Sequence, residues 1–137
     1  MRLVIDTNRI ISALIKEGIT RDLLLLTNID FCAPGYILEE VERNLDYIIK
    51  KSGLDEERIT LIFTLLLDNI TIIADESIKS KMPEAMGVMK DVHEADAPIL
   101  ACALAIPNDG IWSHDKHFEK QNRVKIWKTK DILEFVN

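Results

Sequence analysis

The stretch Arg2-Leu-Val-Ile-Asp6-Thr7-Asn8 reads as a strand passing directly into a helix. Three apolar residues, two of them β-branched, run into an acid, and then come two residues that favour helix N-caps. Ile10, Ile11, Leu14 and Ile15 follow at helical spacing until Gly18 stops the helix, and a second helix starts after Thr20 with Leu23 to Leu26. The same alternation continues along the chain. Phe31-Cys-Ala33 is a short strand, and Pro34-Gly35 turns it into a long helix over 36–50, broken by Ser52-Gly53. A helix over 55–67 opens on acids that suit a helix N-terminus, and Ile70 to Ile73 is the next strand. Residues 77–90 are helical with an interruption or restart at Pro83, and 94–106 form an Ala- and Leu-rich helix ended by Pro107-Asn-Asp-Gly110. Ile111 to Ser113 and Val124 to Trp127 are strands, and Thr129 with Asp131 caps a closing helix through Val136.

Strands alternating with helices imply a parallel sheet covered on both faces, a three-layer α/β/α sandwich with four to five central strands. At 137 residues the chain has the length of one domain, expected to span 1–137, with no repeat or long linker. Its composition, 47% hydrophobic and 29% charged, excludes a disordered chain. The longest apolar runs, 61–67 and 98–106, are too short to cross a bilayer, and the amino-terminal apolar run meets Asp6 too soon for a signal peptide. Cys32 and Cys102 stand alone in apolar surroundings and read as reduced core residues, so a cytoplasmic protein is expected.

Net charge is −6, which argues against nucleic-acid binding by a general excess of positive charge. The distribution is uneven, however. The segment 114–130 carries Lys116, Lys120, Arg123, Lys125, Lys128 and Lys130 against Asp115 and Glu119, a net of +4 against −10 elsewhere. Such a run is commonly a solvated face, and here it is also a candidate strip for phosphates.

In an open parallel sheet, ligands bind beyond the carboxyl ends of the strands, where strand order reverses. Asp6 directly follows the first strand, and Asp115 follows the 111–113 strand by two residues. Asp96 heads the helix from Glu94, with Ile99, Leu100 and Ala103 below it on the buried face. A fourth acid comes from Glu39, Glu40 or Glu42, among which a helical wheel does not choose. Singly, each acid has a plain alternative as a cap, a turn former or a solvated side chain. Together at one edge they repel one another and require a compensating cation. A cluster of acids without His or Cys partners suits Mg²⁺ or Mn²⁺ better than zinc, and with them metal-assisted hydrolysis of a phosphodiester. His93, His114 and His117 match no zinc spacing and read as surface or supporting residues.

Asp6-Thr7-Asn8, the segment Tyr36-Ile-Leu-Glu-Glu-Val41, Asp96-Ala-Pro-Ile-Leu-Ala-Cys-Ala103 and Trp112-Ser-His-Asp115-Lys-His-Phe118 together resemble the PIN domain, over nearly the whole chain. The resemblance implies a metal-dependent ribonuclease, often the VapC-type toxin of a toxin–antitoxin pair, which acts on RNA, pairs with a small antitoxin and forms homodimers. It places Asp6, Glu40, Asp96 and Asp115 at the metal, with Glu40 favoured by registration against Leu45. Thr7, Asn8 and Ser113 match the positions that orient those acids, and Lys116, Lys120, Arg123 and Lys125 are the expected RNA contacts. The family often has Thr-Gly-Asp at the fourth strand, whereas His114 here adds bulk and a titratable group beside the site. The alternatives are a non-catalytic RNA-binding or regulatory module of the same fold, a housekeeping RNA-processing nuclease without an antitoxin, and a phospho-aspartate phosphatase or receiver domain. Asn8 argues against the phosphatase, which wants Asp-x-Asp, and the lone acid on the first strand argues against the receiver.

Overall fold

A computed structural model describes residues 1–137. Five strands form one sheet in the order β3-β2-β1-β4-β5, every neighbouring pair parallel. They are β1 Arg2–Ile5, β2 Asp30–Pro34, β3 Ile70–Ile73, β4 Ile111–Trp112 and β5 Ile126–Trp127. β1 is central, pairing Val4 with Cys32 on one side and with Ile111 on the other. Its Leu3, Val4 and Ile5 are completely buried, as expected of a parallel strand covered on both faces. Each such side chain contributes on the order of 1.5–3 kcal/mol by leaving water.

Ten helices flank the sheet: α1 Thr7–Ile15, α2 Ile19–Leu26, α3 Tyr36–Arg43, α4 Leu45–Ser52, α5 Glu56–Leu67, α6 Asp75–Lys79, α7 Met82–Met89, α8 Ala97–Ala105, α9 Lys116–Glu119 and α10 Thr129–Val136. α1 packs with α2, α4 and α5, while α8 lies against β1 and β2 and carries α6 and α7. The result is the three-layer α/β/α sandwich expected from the alternation of strands and helices. No helix is long and apolar enough to cross a membrane.

Several boundaries differ from the sequence reading, each for a local reason. The helix expected over 36–50 is two helices, divided at Asn44. The Asn44 side-chain amide donates to the Glu40 carbonyl at 2.7 Å, where its own backbone N–H also donates at 3.2 Å, so side chain and main chain compete for one acceptor. Gly53 then closes α4 at φ 73°, its N–H donating to Ile49 O at 3.0 Å. Pro83 restarts the chain as the second residue of α7. The helix expected from Glu94 begins as a 3₁₀ turn, Glu94–Asp96, so Asp96 is the N-cap of α8 and not a residue of its first turn. Thr129 does not cap α10: its hydroxyl accepts from Trp112 Nε1 at 3.1 Å, and Asp131 alone reaches back to the Lys128 N–H at 2.9 Å. At Gly110, φ is 139°, and a Cβ there would collide with the Lys125 carbonyl and stand 2.7 Å from Trp127 Cδ1. That glycine admits the close approach of β5 to β4.

Candidate active site

Strand order reverses between β1 and β4, since β2 and β3 extend the sheet to one side of β1, and β4 and β5 to the other. Beyond the carboxyl ends of these two strands the chain brings Asp6, Asp96 and Asp115 together. Asp6 follows Ile5, the last residue of β1. Asp6 as a whole is 5% exposed, and its carboxylate accepts from the hydroxyl of the wholly buried Ser113 at 2.7 Å. Ser113 follows β4 and in turn accepts from the Asp115 N–H at 2.9 Å. One hydroxyl thus links the ends of two strands and fixes two of the acids.

Glu40 reaches the cluster from α3. Its Oε1 accepts from the buried Thr7 hydroxyl at 2.6 Å, and Thr7 is the first residue of α1. Glu39 is exposed beside Arg43, and Glu42 is exposed as well, so of the three neighbouring acids Glu40 is the one turned inward. Asp115 caps α9, accepting from the His117 N–H at 2.9 Å.

Burial first, and neighbouring acids second, raise Asp6, Glu40 and Asp96. Burial, with Asp96 and Asp115 nearby, pushes the Asp6 carboxyl up to about 6, although Ser113 holds it down in part. The Asn8 backbone amide also opposes the rise, too loosely for a well-formed cap hydrogen bond. Burial raises Asp96 above the usual carboxylate range, and Asp115 adds to it. Burial likewise raises Glu40, with a smaller push from Asp96. No lysine or arginine is ion-paired with any of these acids. Oxygen donors that face one edge of the sheet, three of the four held by a hydroxyl or amide donor, suit a hard divalent cation.

Of the residues expected to orient the acids, Thr7 and Ser113 do so through their hydroxyls, whereas the Asn8 side chain is exposed. The expected basic strip is divided. Lys116 and Lys120 are exposed at the start of α9 and just after its end, on the helix that Asp115 caps. Arg123 is bound to Glu84 at 2.6 Å, and Lys125 lies 4.1 Å over the Trp127 ring, level with the amino end of β4, where its carbonyl accepts from the Ile111 N–H. His114 does not stand against the acids. Its Nε2 accepts from the Thr129 N–H at 3.2 Å and meets the Thr129 hydroxyl at 2.8 Å, turning the ring toward α10.

Three neighbours of the site make contacts that the sequence does not assign, and one of them, Arg9, is not among its candidate residues. His93, three residues before Asp96, and His117, 21 residues after it, both approach Asp96 Oδ2, at 3.4 and 3.1 Å, against the expectation of acids without histidine partners. Arg9 is half-buried with its Nε enclosed and unbonded. Burial lowers its pKa while Asp6 opposes the fall. The only advance signal for Arg9 was its place three residues after Asp6.

No curated protein matches the sequence. The PIN domain family matches residues 4–136. PIN domains are generally nucleases, and a cluster of possible metal ligands, His93, Asp96 and His117 with donor atoms within 4.8 Å of one another, accords with a hydrolase. With the match running from the first strand into the last helix, over the fold and acid cluster just described, this chain belongs to the PIN domain family.

Proposed function

We propose that this protein is a divalent-metal-dependent endoribonuclease acting on single-stranded RNA, as the VapC-type toxin of a type II toxin–antitoxin pair. The observation that carries the reading is the meeting of Asp6, Asp96 and Asp115 at the β1–β4 edge, with Asp6 buried and pushed up to about 6. Carboxylates buried in one another's company are costly to ionise in the free protein, first through lost solvation and then through repulsion, and a cation relieves both. A bound Mg²⁺ or Mn²⁺ supplies an acidified water for attack on the phosphodiester and neutralises charge gathering on the leaving oxygen.

In this reading Asp6, Glu40, Asp96 and Asp115 are the ligands, directly or through water. Ser113 and Thr7 hold Asp6 and Glu40 in fixed rotamers, which keeps donor oxygens in place before the cation arrives. Lys116 and Lys120, free in solvent beside Asp115, receive the RNA backbone; Arg123 and Lys125 extend that strip only if RNA displaces their present contacts. A homodimer and an antitoxin belong to the same proposal. Leu61 and Leu65 on α5, 62% and 49% exposed, supply apolar surface for one of them.

The deciding experiment incubates the chelator-treated protein with a fluorescent single-stranded RNA and restores Mg²⁺ or Mn²⁺. Cleavage should return with either ion and be absent in Asp6→Asn and Asp96→Asn. Cleavage that persists in chelator, or in both variants, refutes the metal mechanism. RNA binding without cleavage under every ion would instead make the protein a non-catalytic module of the same fold.

A further inference from the structure

Two imidazoles stand on the solvent side of the acid cluster. His93 precedes the 3₁₀ turn that ends at Asp96, and His117 lies in α9, two residues after Asp115. Both present Nδ1 to the same oxygen. His93 Nδ1 is 3.4 Å and His117 Nδ1 3.1 Å from Asp96 Oδ2, and His117 Nδ1 is also 3.1 Å from Asp115 Oδ1. The two rings stack with centroids 4.6 Å and planes 10° apart.

These distances can be compared with those of a coordination shell. A tetrahedral ion with metal–nitrogen bonds of about 2.0–2.1 Å and metal–oxygen bonds of about 2.0–2.2 Å holds its donor atoms about 3.3–3.4 Å apart. The two nitrogen–oxygen separations at Asp96 are already near that value, and the donor atoms of His93, Asp96 and His117 all lie within 4.8 Å of one another. The side chains of His93 and His117 are 48% and 37% exposed, so their rings can turn inward without disturbing the core. One imidazole would suffice to orient Asp96 by a hydrogen bond, whereas here a second brings another nitrogen to the same oxygen. Imidazole nitrogen favours zinc, cobalt, nickel and copper, while the all-oxygen set of Asp6, Glu40 and Asp115 favours magnesium and manganese.

We propose that His93, Asp96 and His117 form a separate site for a borderline divalent ion of the zinc class, sharing Asp96 with the oxygen site. Binding itself follows from the geometry alone. Its consequence rests on the nuclease reading: with Asp96 drawn into the nitrogen site, the oxygen site loses a ligand, and Zn²⁺ inhibits Mg²⁺-supported cleavage.

Co²⁺ titrated into the chelator-treated protein tests the site without RNA. The expected result is the intense visible absorption of four-coordinate Co²⁺, abolished by Zn²⁺ and not by an equal amount of Mg²⁺. His93→Ala and His117→Ala should each weaken Co²⁺ binding at least about tenfold, with the far-ultraviolet circular dichroism unchanged. A readout that needs no variant is imidazole ¹⁵N NMR, in which His93 and His117 should shift on adding Zn²⁺ and His114 should not. Absence of the cobalt absorption in the unmodified protein, its survival in both variants, or shifts confined to His114 would overturn the site. Cobalt binding without Mg²⁺-supported cleavage would sink the nuclease reading and leave this site standing. Cleavage without cobalt binding would do the reverse. Where both hold, a cleavage rate untouched by one equivalent of Zn²⁺ overturns the sharing of Asp96.

Discussion

Ser113 Oγ donates to Asp6 Oδ2 at 2.7 Å across 107 residues of chain, inside a space that admits almost no water. The same oxygen accepts from the Asp115 N–H, so the geometry of two acids depends on one hydroxyl. Parallel pairing of β1 with β4 makes the contact possible, because it sets Ile5 beside Trp112 and the next residues of each strand face to face.

Ser113→Ala removes that donor and leaves two buried partners unpaired. The expected cost is about 1–3 kcal/mol of stability, together with a further rise of the Asp6 pKa, since Ser113 is the largest influence holding it down. Carboxyl-carbon NMR titration and thermal unfolding measure the two effects. An Asp6 pKa unmoved by the substitution would show that the hydroxyl does not support the charged form.

Asp6→Asn should stabilise the metal-free protein near neutral pH. A carboxyl raised from 3.8 to about 6 is about 3 kcal/mol less favourable to ionise in the folded state than in the unfolded one. The folded protein therefore binds the extra proton, and this group's contribution to stability declines as pH climbs from about 4 to about 6. Glu40 and Asp96, also raised, act in the same direction. Denaturant unfolding across that window should give a shallower decline for Asp6→Asn than for the unmodified chain. Parallel curves would mean that Asp6 titrates as an ordinary carboxyl.

Thr7→Val keeps the shape of the side chain and removes the donor to Glu40. Mn²⁺ affinity by calorimetry should fall about tenfold or more, and Glu40→Gln should cost at least as much. Glu39→Gln and Glu42→Gln, both at exposed positions, should change little. A larger loss in either of those two would transfer the role of fourth acid away from Glu40.

Charge reversal at Lys116 and Lys120 should weaken RNA binding and reduce the slope of log K against log salt by about 0.7 per lost phosphate contact. Lys125→Glu should matter less, because that ammonium already sits over Trp127 at the amino end of the strands. Equal effects from all three would extend the RNA path around the β5 edge.

What the sequence determined by itself was everything written in short-range pattern. Leu3-Val4-Ile5 ahead of Asp6, the apolar spacing of α1, and the Pro and Gly punctuation yielded the order of strands and helices, and hence a parallel sheet with acids at one edge. It could not choose among Glu39, Glu40 and Glu42 by helix periodicity, since one turn presents several acids at similar angles. The choice depends on where α1 carries Thr7. Nor could it see Asn44 split a helix, because the competing bond is made by a side chain to a carbonyl one turn back. The approach of His117 to Asp96, and the turning of His114 toward Thr129, were decided only by tertiary structure. His117 meets Asp96 across 21 positions and Ser113 meets Asp6 across 107 because the sheet and α8 fix their backbones, and no local preference encodes those meetings.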